Sequence, residues 1–462
     1  MENKREHLGS RLGFILLSAG CAVGMGNVWK FPWMTGQYGG ATFVIIYIGF
    51  LILLGLPIMS VEYAIGRAAQ KSPVKMFEEL EPKGSKWHRY WVLAYAANWL
   101  LMMFYSVVTG WMFYYFLGMI LSKFENKDAA EISGVFGEML SNPKLLIIAT
   151  LVVVVLGFAI LGFGVQKGLE KVNKVMMITL LALIIILAIR AVGLEGGAKG
   201  LEFYLKPSIE PFKEKGVWTV INAAMSQAFF TLSLGIGSIA IFGSYIGKDR
   251  SLLGESLNVV GLDTLVALIA GLIIFPCCSA FGVDAGSGPS LIFVTLPNIF
   301  SNMSGGRVWG SLFFLFMSFA AFSTILAVYE NIVACTMELF SINRKKACIS
   351  CGILMFILSM PCALGFNVLS GFEPFEPGSS ILDIEDFLVS NIALPLGSLC
   401  YVLFVSFKNH GWGWDNFINE VNQGEGLKFP YKLRKYMLIV IPIIILITFV
   451  MGMIDKFSYL WK

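Results

Sequence analysis

The sequence predicts an all-α integral membrane protein with about eleven transmembrane helices, and three observations lead to that fold class. First, 57% of the 462 residues are hydrophobic and only 14% are charged, whereas a soluble protein carries roughly 25% charged residues because its surface faces water. Second, apolar runs long enough to cross a bilayer recur along the whole chain. Third, two of these runs are interrupted by glycines near their middle.

The apolar runs define the elements in chain order. A membrane-spanning helix needs about 20 mostly apolar residues. Such segments lie near 12–36, 41–65, 90–121, 144–163, 173–193, 217–245, 257–281, 307–340, 347–366, 380–406 and 435–455. A shorter apolar piece at 289–300 is predicted to form a surface helix or a re-entrant hairpin on an extracytoplasmic loop.

The distribution of basic residues predicts the orientation. Lys and Arg concentrate before the first helix and after the second, sixth and eighth, whereas intervening loops such as 124–142 are acidic or balanced. Because short loops rich in Lys and Arg stay in the cytoplasm, we expect a cytoplasmic N-terminus. An odd number of helices then places the C-terminal tail outside the cell's inner (plasma) membrane.

Charge and motifs exclude several classes of function. The formal net charge is only +4, and the positive residues are spread between apolar segments, which argues against a nucleic-acid partner. The sequence contains no HExxH or GxSxG motif and no GxxxxGK[ST] loop, the patterns of zinc proteases, serine hydrolases and nucleotide-driven proteins. We therefore expect neither an enzyme nor an ATP-driven pump.

The two interrupted helices indicate where a site lies. The first helix carries Gly20, Gly24 and Gly26, and the sixth carries Gly235 and Gly237. Broken helices at corresponding places in two halves of a chain indicate a transporter site built from inverted repeats. Glycine also permits close packing of membrane helices, which stays the alternative for either helix alone. The match between the two positions favours true breaks.

A broken membrane helix offers sites for both signs of charge. Unwinding frees backbone carbonyls, which are oxygen ligands for a cation such as sodium. The half-helix N-termini present free N–H groups and the positive end of a dipole, which suit a carboxylate. An amino-acid carboxylate could contact both sites, and substrate binding would then depend on ion binding.

Several motifs spread over nearly the whole chain belong together. They are the segments 11–15 and 19–32 in the first helix, Glu62 in the second, Phe104 and Tyr105 in the third, 229–237 in the sixth and 320–324 in the eighth. Together they resemble the neurotransmitter:sodium symporter family, and an end after eleven helices resembles some of its bacterial members.

The resemblance implies a domain organisation. Two inverted five-helix repeats, helices 1–5 and 6–10, would carry unwound helices 1 and 6, with one extra helix at the end. Residues 1–193 would form the N-terminal tail and first repeat, and 194–406 the second repeat with the loop helix near 289–300. Residues 407–462 would form a cytoplasmic loop and helix 11.

The resemblance also implies two sodium ions. The first would bind the Ala22 carbonyl, the Asn27 side-chain oxygen, Thr231 and the carboxylate of the substrate. The second would bind carbonyls of Gly20, Val23 and Ala320 with hydroxyls of Ser323 and Thr324. Oxygen ligands of this kind suit a hard cation, although the two hydroxyls could instead bond to their own helix.

Asp263 lies within an apolar helix, where an ionisable residue is costly and indicates function. Two placements stay open, since it could replace the Asn side chain at the first sodium site or occupy the position where chloride binds in other members. In either place its fixed carboxylate would do the electrostatic work of chloride, which predicts chloride-independent transport. The alternative is a structural partner for a neighbouring polar group.

The resemblance implies a substrate pocket, whose residues without it would be interpreted as ordinary core. The lining would be Cys21, Ala22, Gly26, Leu101, Tyr105, Phe230, Thr231, Ser233, Ile236, Thr324 and Val328. Tyr105 would donate to the substrate carboxylate, and Phe230 would form a lid. Monoamine carriers of the family have an acid at the position of Gly24, so glycine there favours a substrate that brings its own carboxylate.

Two gates follow from the same resemblance. On the cytoplasmic side Arg5 would pair with Glu338, with Tyr245 nearby. On the outer side Lys30 would pair with Asp386, although the family usually has Arg where this chain has Lys30. The family also usually has Trp where this chain has Leu8, and Glu330 is an additional acid near the inner gate.

Taken together, the sequence predicts a symporter that imports a hydrophobic or aromatic amino acid with sodium by alternating access. Its partners would be the amino acid, sodium ions and the lipid bilayer. The alternative of another class is a membrane receptor or sensor that kept the site and lost transport, and accumulation of substrate in vesicles separates the two.

Overall fold

The computed structural model describes residues 8–125, 127–283 and 290–457. Within these ranges the regular structure is helical, and strand-like pairing is limited to one isolated bridge between Arg250 and Glu425. The all-α fold class is therefore confirmed.

In the described residues, ten candidate membrane spans and one further interrupted helix lie near the predicted segments, and they are numbered α1–α11 here. Nine in the described residues are long and apolar enough to span a bilayer on their own: Ala41–Ala69 (α2), Trp87–Ile120 (α3), Pro143–Gly162 (α4), Val165–Val192 (α5), Leu252–Ala280 (α7), Gly306–Phe340 (α8), Arg344–Leu364 (α9), Ile381–Ser406 (α10) and Tyr431–Ile454 (α11). The first, α1, consists of Arg11–Ala22 and Gly26–Gln37 with a bend of 53° between them. The sixth, α6, consists of Val217–Thr231 and Ala240–Gly243.

Helix ends differ from the prediction where the terminal turns are polar. Helix α5 begins at Val165, earlier than the predicted 173. The prediction missed these first turns because they carry Lys167, Glu170 and Lys171. Hydropathy identifies the lipid-facing part of a helix and misses such turns. Capping residues mark other starts, since Ser10 accepts from the Gly13 N–H ahead of α1 and Asn343 accepts from the Lys346 N–H ahead of α9.

Shorter helices lie in the loops. They are Met76–Leu80, Ala129–Ser141, Ala198–Leu205, Glu210–Lys215, Leu291–Asn302 and Trp414–Val421. The apolar piece predicted at 289–300 forms the single helix Leu291–Asn302 over its described residues. Its Phe293 ring is buried against the Trp29 and Trp111 rings, so this helix packs inward instead of lying free on the surface.

Helix α8 lies at the centre of the bundle. In the apolar stretch of α8, 78% is buried inside the protein, compared with 28% for the apolar stretch of α11 and 39% for those of α4 and α9. It packs against α1, α3 and α5. Helix α11 lies at the periphery, where apolar side chains such as Ile443 and Ile454 stay exposed, as they would be toward lipid tails.

Both predicted helix breaks are present. In α1 the regular helix stops at Ala22, and Val23 has an extended backbone with ψ of 96°. In α6 the residues 232–239 form no helix, and Ser233, Gly235 and Gly237 have φ of 51°, 90° and 79°. Glycine is required at 235, because a Cβ there would lie 2.2 Å from the Leu394 carbonyl oxygen of α10. The two breaks position the candidate site.

Candidate substrate and ion site

A cavity lies between the two helix breaks. Its lining includes nine of the predicted pocket residues, namely Cys21, Ala22, Gly26, Leu101, Tyr105, Phe230, Thr231, Ser233 and Thr324. Two predicted residues, Ile236 and Val328, are fully buried and do not belong to this lining.

Two α10 residues that the sequence analysis missed complete the wall. Val389 and Leu394 line the cavity, and they follow Asp386 by three and eight residues on the same helix. Residues Leu388–Ala393 form a π-helical stretch, in which the spacing of an α-helix does not apply. The position of Asp386 therefore did not identify these two wall residues in advance.

The cavity is nearly closed. The volume open to the centres of water molecules is about 10 Å³, which is room for roughly one water. Binding of an amino acid therefore requires movement of the lining side chains. Phe230 is the movable candidate, because its ring is only half-buried and lies under the Lys30 ammonium, 3.7 Å from the ring centroid.

Tyr105 ties helix α3 to the break in α1. The backbone N–H of Met25 donates to the Tyr105 hydroxyl oxygen over 2.8 Å, which leaves the hydroxyl proton for another acceptor. A Cβ at Gly24 would lie 2.3 Å from this hydroxyl and 2.4 Å from Thr324 Oγ1. Position 24 therefore admits no side chain in this arrangement, and an acid at that position would not fit.

The first oxygen cluster combines α1, α6 and α7. Asn27 Nδ2 donates to Asp263 Oδ1 over 2.7 Å and to the Asp263 carbonyl over 3.0 Å. Thr231 Oγ1 lies 3.3 and 3.4 Å from the two Asp263 carboxylate oxygens. All three side chains are buried. Asp263 is thus beside the side chains predicted for the first sodium ion.

The second oxygen cluster joins the α1 break to the middle of α8. Ser323 Oγ lies 2.9 Å from the Ala320 carbonyl and 3.4 Å from that of Val23. Thr324 Oγ1 lies 3.2 Å from the Gly20 carbonyl and 3.4 Å from those of Val23 and Ala320. Since the helix ends at Ala22, the Val23 carbonyl has no continuing helix to bond. The five oxygen atoms predicted to bind the second sodium ion therefore lie close together.

Buried polar side chains hold the broken ends in place. The Glu62 carboxylate accepts from the Gly235 N–H, which is the structural role expected for an intramembrane acid beside orphan backbone donors. Gln227 Nε2 donates to the Gly26 carbonyl over 2.8 Å and so links α6 to α1.

Lys30 and Asp386, the predicted residues of the outer gate, form an ion pair. Lys30 Nζ lies 3.6 Å from Asp386 Oδ2, and both side chains are partly exposed. Ser390, which the sequence analysis missed, bridges the pair: it donates to Asp386 Oδ1 over 2.7 Å and accepts from Lys30 Nζ over 3.4 Å. The Lys30–Asp386 pair thus contacts both the Phe230 ring and Ser390 of α10.

At the predicted inner gate Arg5 lies outside the described residues, so its predicted pairing with Glu338 stays a prediction. The Glu338 carboxylate accepts from the Ser72 hydroxyl over 2.7 Å and from the Ser72 N–H. The Leu8 N–H donates to the Tyr245 carbonyl over 3.4 Å. Leu8 is therefore held against the residues that follow α6.

Glu330 forms the centre of a buried ion cluster near this gate. It accepts from the Tyr245 hydroxyl over 2.8 Å and from both Arg344 terminal nitrogens over 2.7 and 2.9 Å. Arg344 was missed, although it begins the basic run at 344–346 that oriented the chain. This cluster fastens the end of α6 to α8 and α9.

Known proteins resemble this chain over most of its length. A sequence model of the Sodium:neurotransmitter symporter family matches residues 5–131 and 131–460. The uncharacterized sodium-dependent transporter YhdH of Bacillus subtilis is 32% identical, and the match covers 97% of this chain and 98% of the relative. An uncharacterized sodium-dependent transporter of Methanocaldococcus jannaschii is 31% identical over 96% of this chain and 89% of its own.

A solved structure shows the same architecture. The crystal structure of MhsT in complex with L-phenylalanine superposes with a TM-score of 0.87 at 38% sequence identity. The match covers 97% of this chain and 100% of MhsT. The arrangement of α1–α11 around the two breaks is therefore shared with a protein that binds an aromatic amino acid.

Proposed function

This chain belongs to the sodium:neurotransmitter symporter family, and from that premise we propose that it imports a hydrophobic or aromatic amino acid by alternating access. It is a sodium-dependent membrane transporter and not an enzyme. The proposal adds the substrate class, two sodium ions per cycle and independence from chloride.

The main support for the proposed substrate class comes from the atoms that surround Gly24. Tyr105 and Thr324 occupy the space that an acidic side chain would need. Nothing in this part of the site would therefore neutralise the ammonium of an amine that lacks a carboxylate. The Tyr105 hydroxyl and a sodium ion bound at the first oxygen cluster would suit a substrate carboxylate. The walls formed by Leu101, Phe230 and Leu394 suit an apolar side chain. The L-phenylalanine in the MhsT complex is an amino acid of this class.

Sodium would enter as co-substrate at two places. The first ion would contact the Ala22 carbonyl, Asn27, Thr231 and Asp263, together with the substrate carboxylate. The second would contact the five oxygens between the α1 break and α8. Because the substrate would complete the coordination of the first ion, each would bind more tightly when the other is present.

Chloride independence follows from the charge at Asp263. At an effective dielectric constant near 20, two unit charges about 4 Å apart interact by roughly 4 kcal/mol. A permanent carboxylate beside Asn27 and Thr231 would offset the positive charge of the ions in the membrane interior. An exchangeable anion would then be unnecessary.

Alternating access would require the two gates to open in turn. Outward opening would separate Lys30 from Asp386 and lift Phe230. Inward opening would separate Arg5 from Glu338 and release Tyr245 from Glu330. We place the N-terminus in the cytoplasm and the C-terminus outside the plasma membrane, as the basic loops indicate.

The proposal is tested in proteoliposomes with labelled phenylalanine. Accumulation should require an inward sodium gradient and no ATP, and it should disappear when potassium replaces sodium on both sides. Leucine and tryptophan should compete, whereas tryptamine should not. Equal uptake in potassium would refute coupling to sodium, and binding without accumulation would instead support a receptor.

A further inference from the structure

The unwound part of α6 is fastened to α3 by two buried side chains, because Tyr90 donates to the Gly235 carbonyl and Asn98 contacts Ile236 and Ser238. Asn98 Nδ2 donates to the Ile236 carbonyl over 2.7 Å and to the Ala94 carbonyl of its own helix over 2.7 Å. Its Oδ1 accepts from the Ser238 hydroxyl over 2.9 Å. Asn98 is 2% exposed and Ser238 is fully buried. Both amide protons and the oxygen of Asn98 therefore have partners, two of them in the unwound segment.

Asn98 shares a helix face with the pocket. Leu101 and Tyr105, which line the cavity, follow Asn98 by three and seven residues on α3, so the three side chains project in the same direction. Tyr105 contacts the break in α1, and Asn98 contacts the break in α6. One face of α3 thus supports both breaks.

The α6 segment needs an external support. Ser233 has φ of 51°, a conformation that is unfavourable for a residue with a side chain. Only two residues separate it from Ile236, where Asn98 binds. Because Phe230 and Ser233 line the cavity, the Asn98 contacts, together with those of Tyr90 and Glu62 to Gly235, fix the position of this wall of the pocket.

We propose that Asn98 is a specificity-determining positioning residue, which keeps the α6 wall close to α3 and so limits the size of the accepted amino acid side chain. This inference rests on the proposed amino acid substrate. It assigns no contact between Asn98 and the substrate. Asn98 belongs to neither oxygen cluster, because its hydrogen bonds within the described residues go to Ala94, Ile236 and Ser238.

The test compares inhibition constants of leucine and tryptophan against labelled phenylalanine uptake. Asn98→Ala removes both contacts with α6, so the wall can retreat and the smaller ligand should fit worse. We expect the leucine constant to rise about fivefold relative to that of tryptophan, as for the loss of one or two hydrogen bonds. The half-saturating sodium concentration should stay within about twofold of wild type, since a tenfold change would require about 1.4 kcal/mol.

Two further variants keep the test decisive. Ser238→Ala removes only the contact to Asn98 Oδ1 and should shift the same ratio by about twofold. Thr150→Val, a matched control, removes a buried bond to the Leu146 carbonyl within α4 and should leave the ratio unchanged. If Asn98→Ala does not reach the membrane, Ser238→Ala decides.

An unchanged leucine-to-tryptophan ratio in the Asn98 and Ser238 variants would overturn this inference while the proposed function stands. A purely structural role would lower the amount of active transporter and leave the ratio as in wild type. Failure of both amino acids to compete in the wild type would instead overturn the proposed function.

Discussion

Asn27 donates its side-chain amide to the carboxylate of Asp263 over 2.7 Å, and both side chains are fully buried. The contact joins the residue that follows the α1 break to the middle of α7. An ionisable side chain within a membrane is costly unless it is paired or functional. The Asp263 carboxyl group therefore lies beside the break in α1.

The first prediction concerns chloride. Wild-type uptake should be unaffected when gluconate replaces chloride, because Asp263 supplies the negative charge. In Asp263→Ser, uptake in gluconate should fall at least about tenfold, which corresponds to only about 1.4 kcal/mol of the charge interaction, and chloride should restore part of it. The measurement is initial uptake at matched sodium with each anion.

Glu202→Gln serves as the control for this experiment, because Glu202 is an exposed carboxylate paired with Lys206 outside the membrane helices. It should behave as wild type with either anion. A wild type that requires chloride, or an Asp263→Ser variant with unchanged uptake in gluconate, would contradict the assignment.

A second prediction concerns the second ion. Ser323→Ala removes one hydroxyl from the cluster formed with the Val23 and Ala320 carbonyls. The half-saturating sodium concentration should rise about tenfold, as expected for the loss of one contact to a charged group. The sodium dependence of phenylalanine uptake measures it.

Ser311→Ala is the matched control on the same helix, since its hydroxyl bonds only to the Arg307 carbonyl one turn before it. Its sodium dependence should match the wild type. A Ser323→Ala variant with the same sodium dependence as Ser311→Ala would show that Ser323 merely bonds to its own helix.

A third prediction follows from the space around Gly24. The Cβ of Gly24→Ala would collide with the Tyr105 hydroxyl and Thr324 Oγ1, and overpacking of this kind costs about 1–3 kcal/mol. Phenylalanine uptake should therefore fall at least about fivefold. Gly49→Ala is the control, because no atom lies within 4 Å of a Cβ at that helical position. Full activity of Gly24→Ala would contradict the described site.

A fourth prediction concerns the ion cluster around Glu330. Glu330→Ala leaves Arg344, which is only 14% exposed, without its bidentate partner. Removing one partner of a buried ion pair typically costs about 3–5 kcal/mol. The thermal midpoint of the purified protein in detergent should fall clearly, as measured by tryptophan fluorescence.

Glu425→Ala is the comparison for that experiment, because Glu425 pairs with Arg250 at the surface and is 85% exposed. Exposed pairs contribute little to stability, so its midpoint should stay close to wild type. Equal midpoints for the Glu330 and Glu425 variants would mean that the Glu330 cluster does not stabilise the fold.

Some missed residues show why a single sequence is incomplete as a guide to a site. Val389 and Leu394 are ordinary apolar residues in an apolar helix, and only the rotation of α10 against α6 turns them toward the cavity. Asn98 and Ser238 lie far apart in the chain, and their hydrogen bond exists because α6 unwinds beside α3. No periodicity encodes contacts of this kind, since they depend on how two helices pack.

The sequence by itself determined the membrane class, the number and order of the helices and the positions of both breaks. These properties are local, because bilayer thickness sets the length of an apolar run and glycine sets where the backbone can unwind. The tertiary structure alone brought Asp263 beside Asn27 and Thr231. It also decided which α10 face lines the cavity and which partner Glu330 has. Those outcomes depend on the relative rotation and depth of separate helices, which packing over the whole bundle determines.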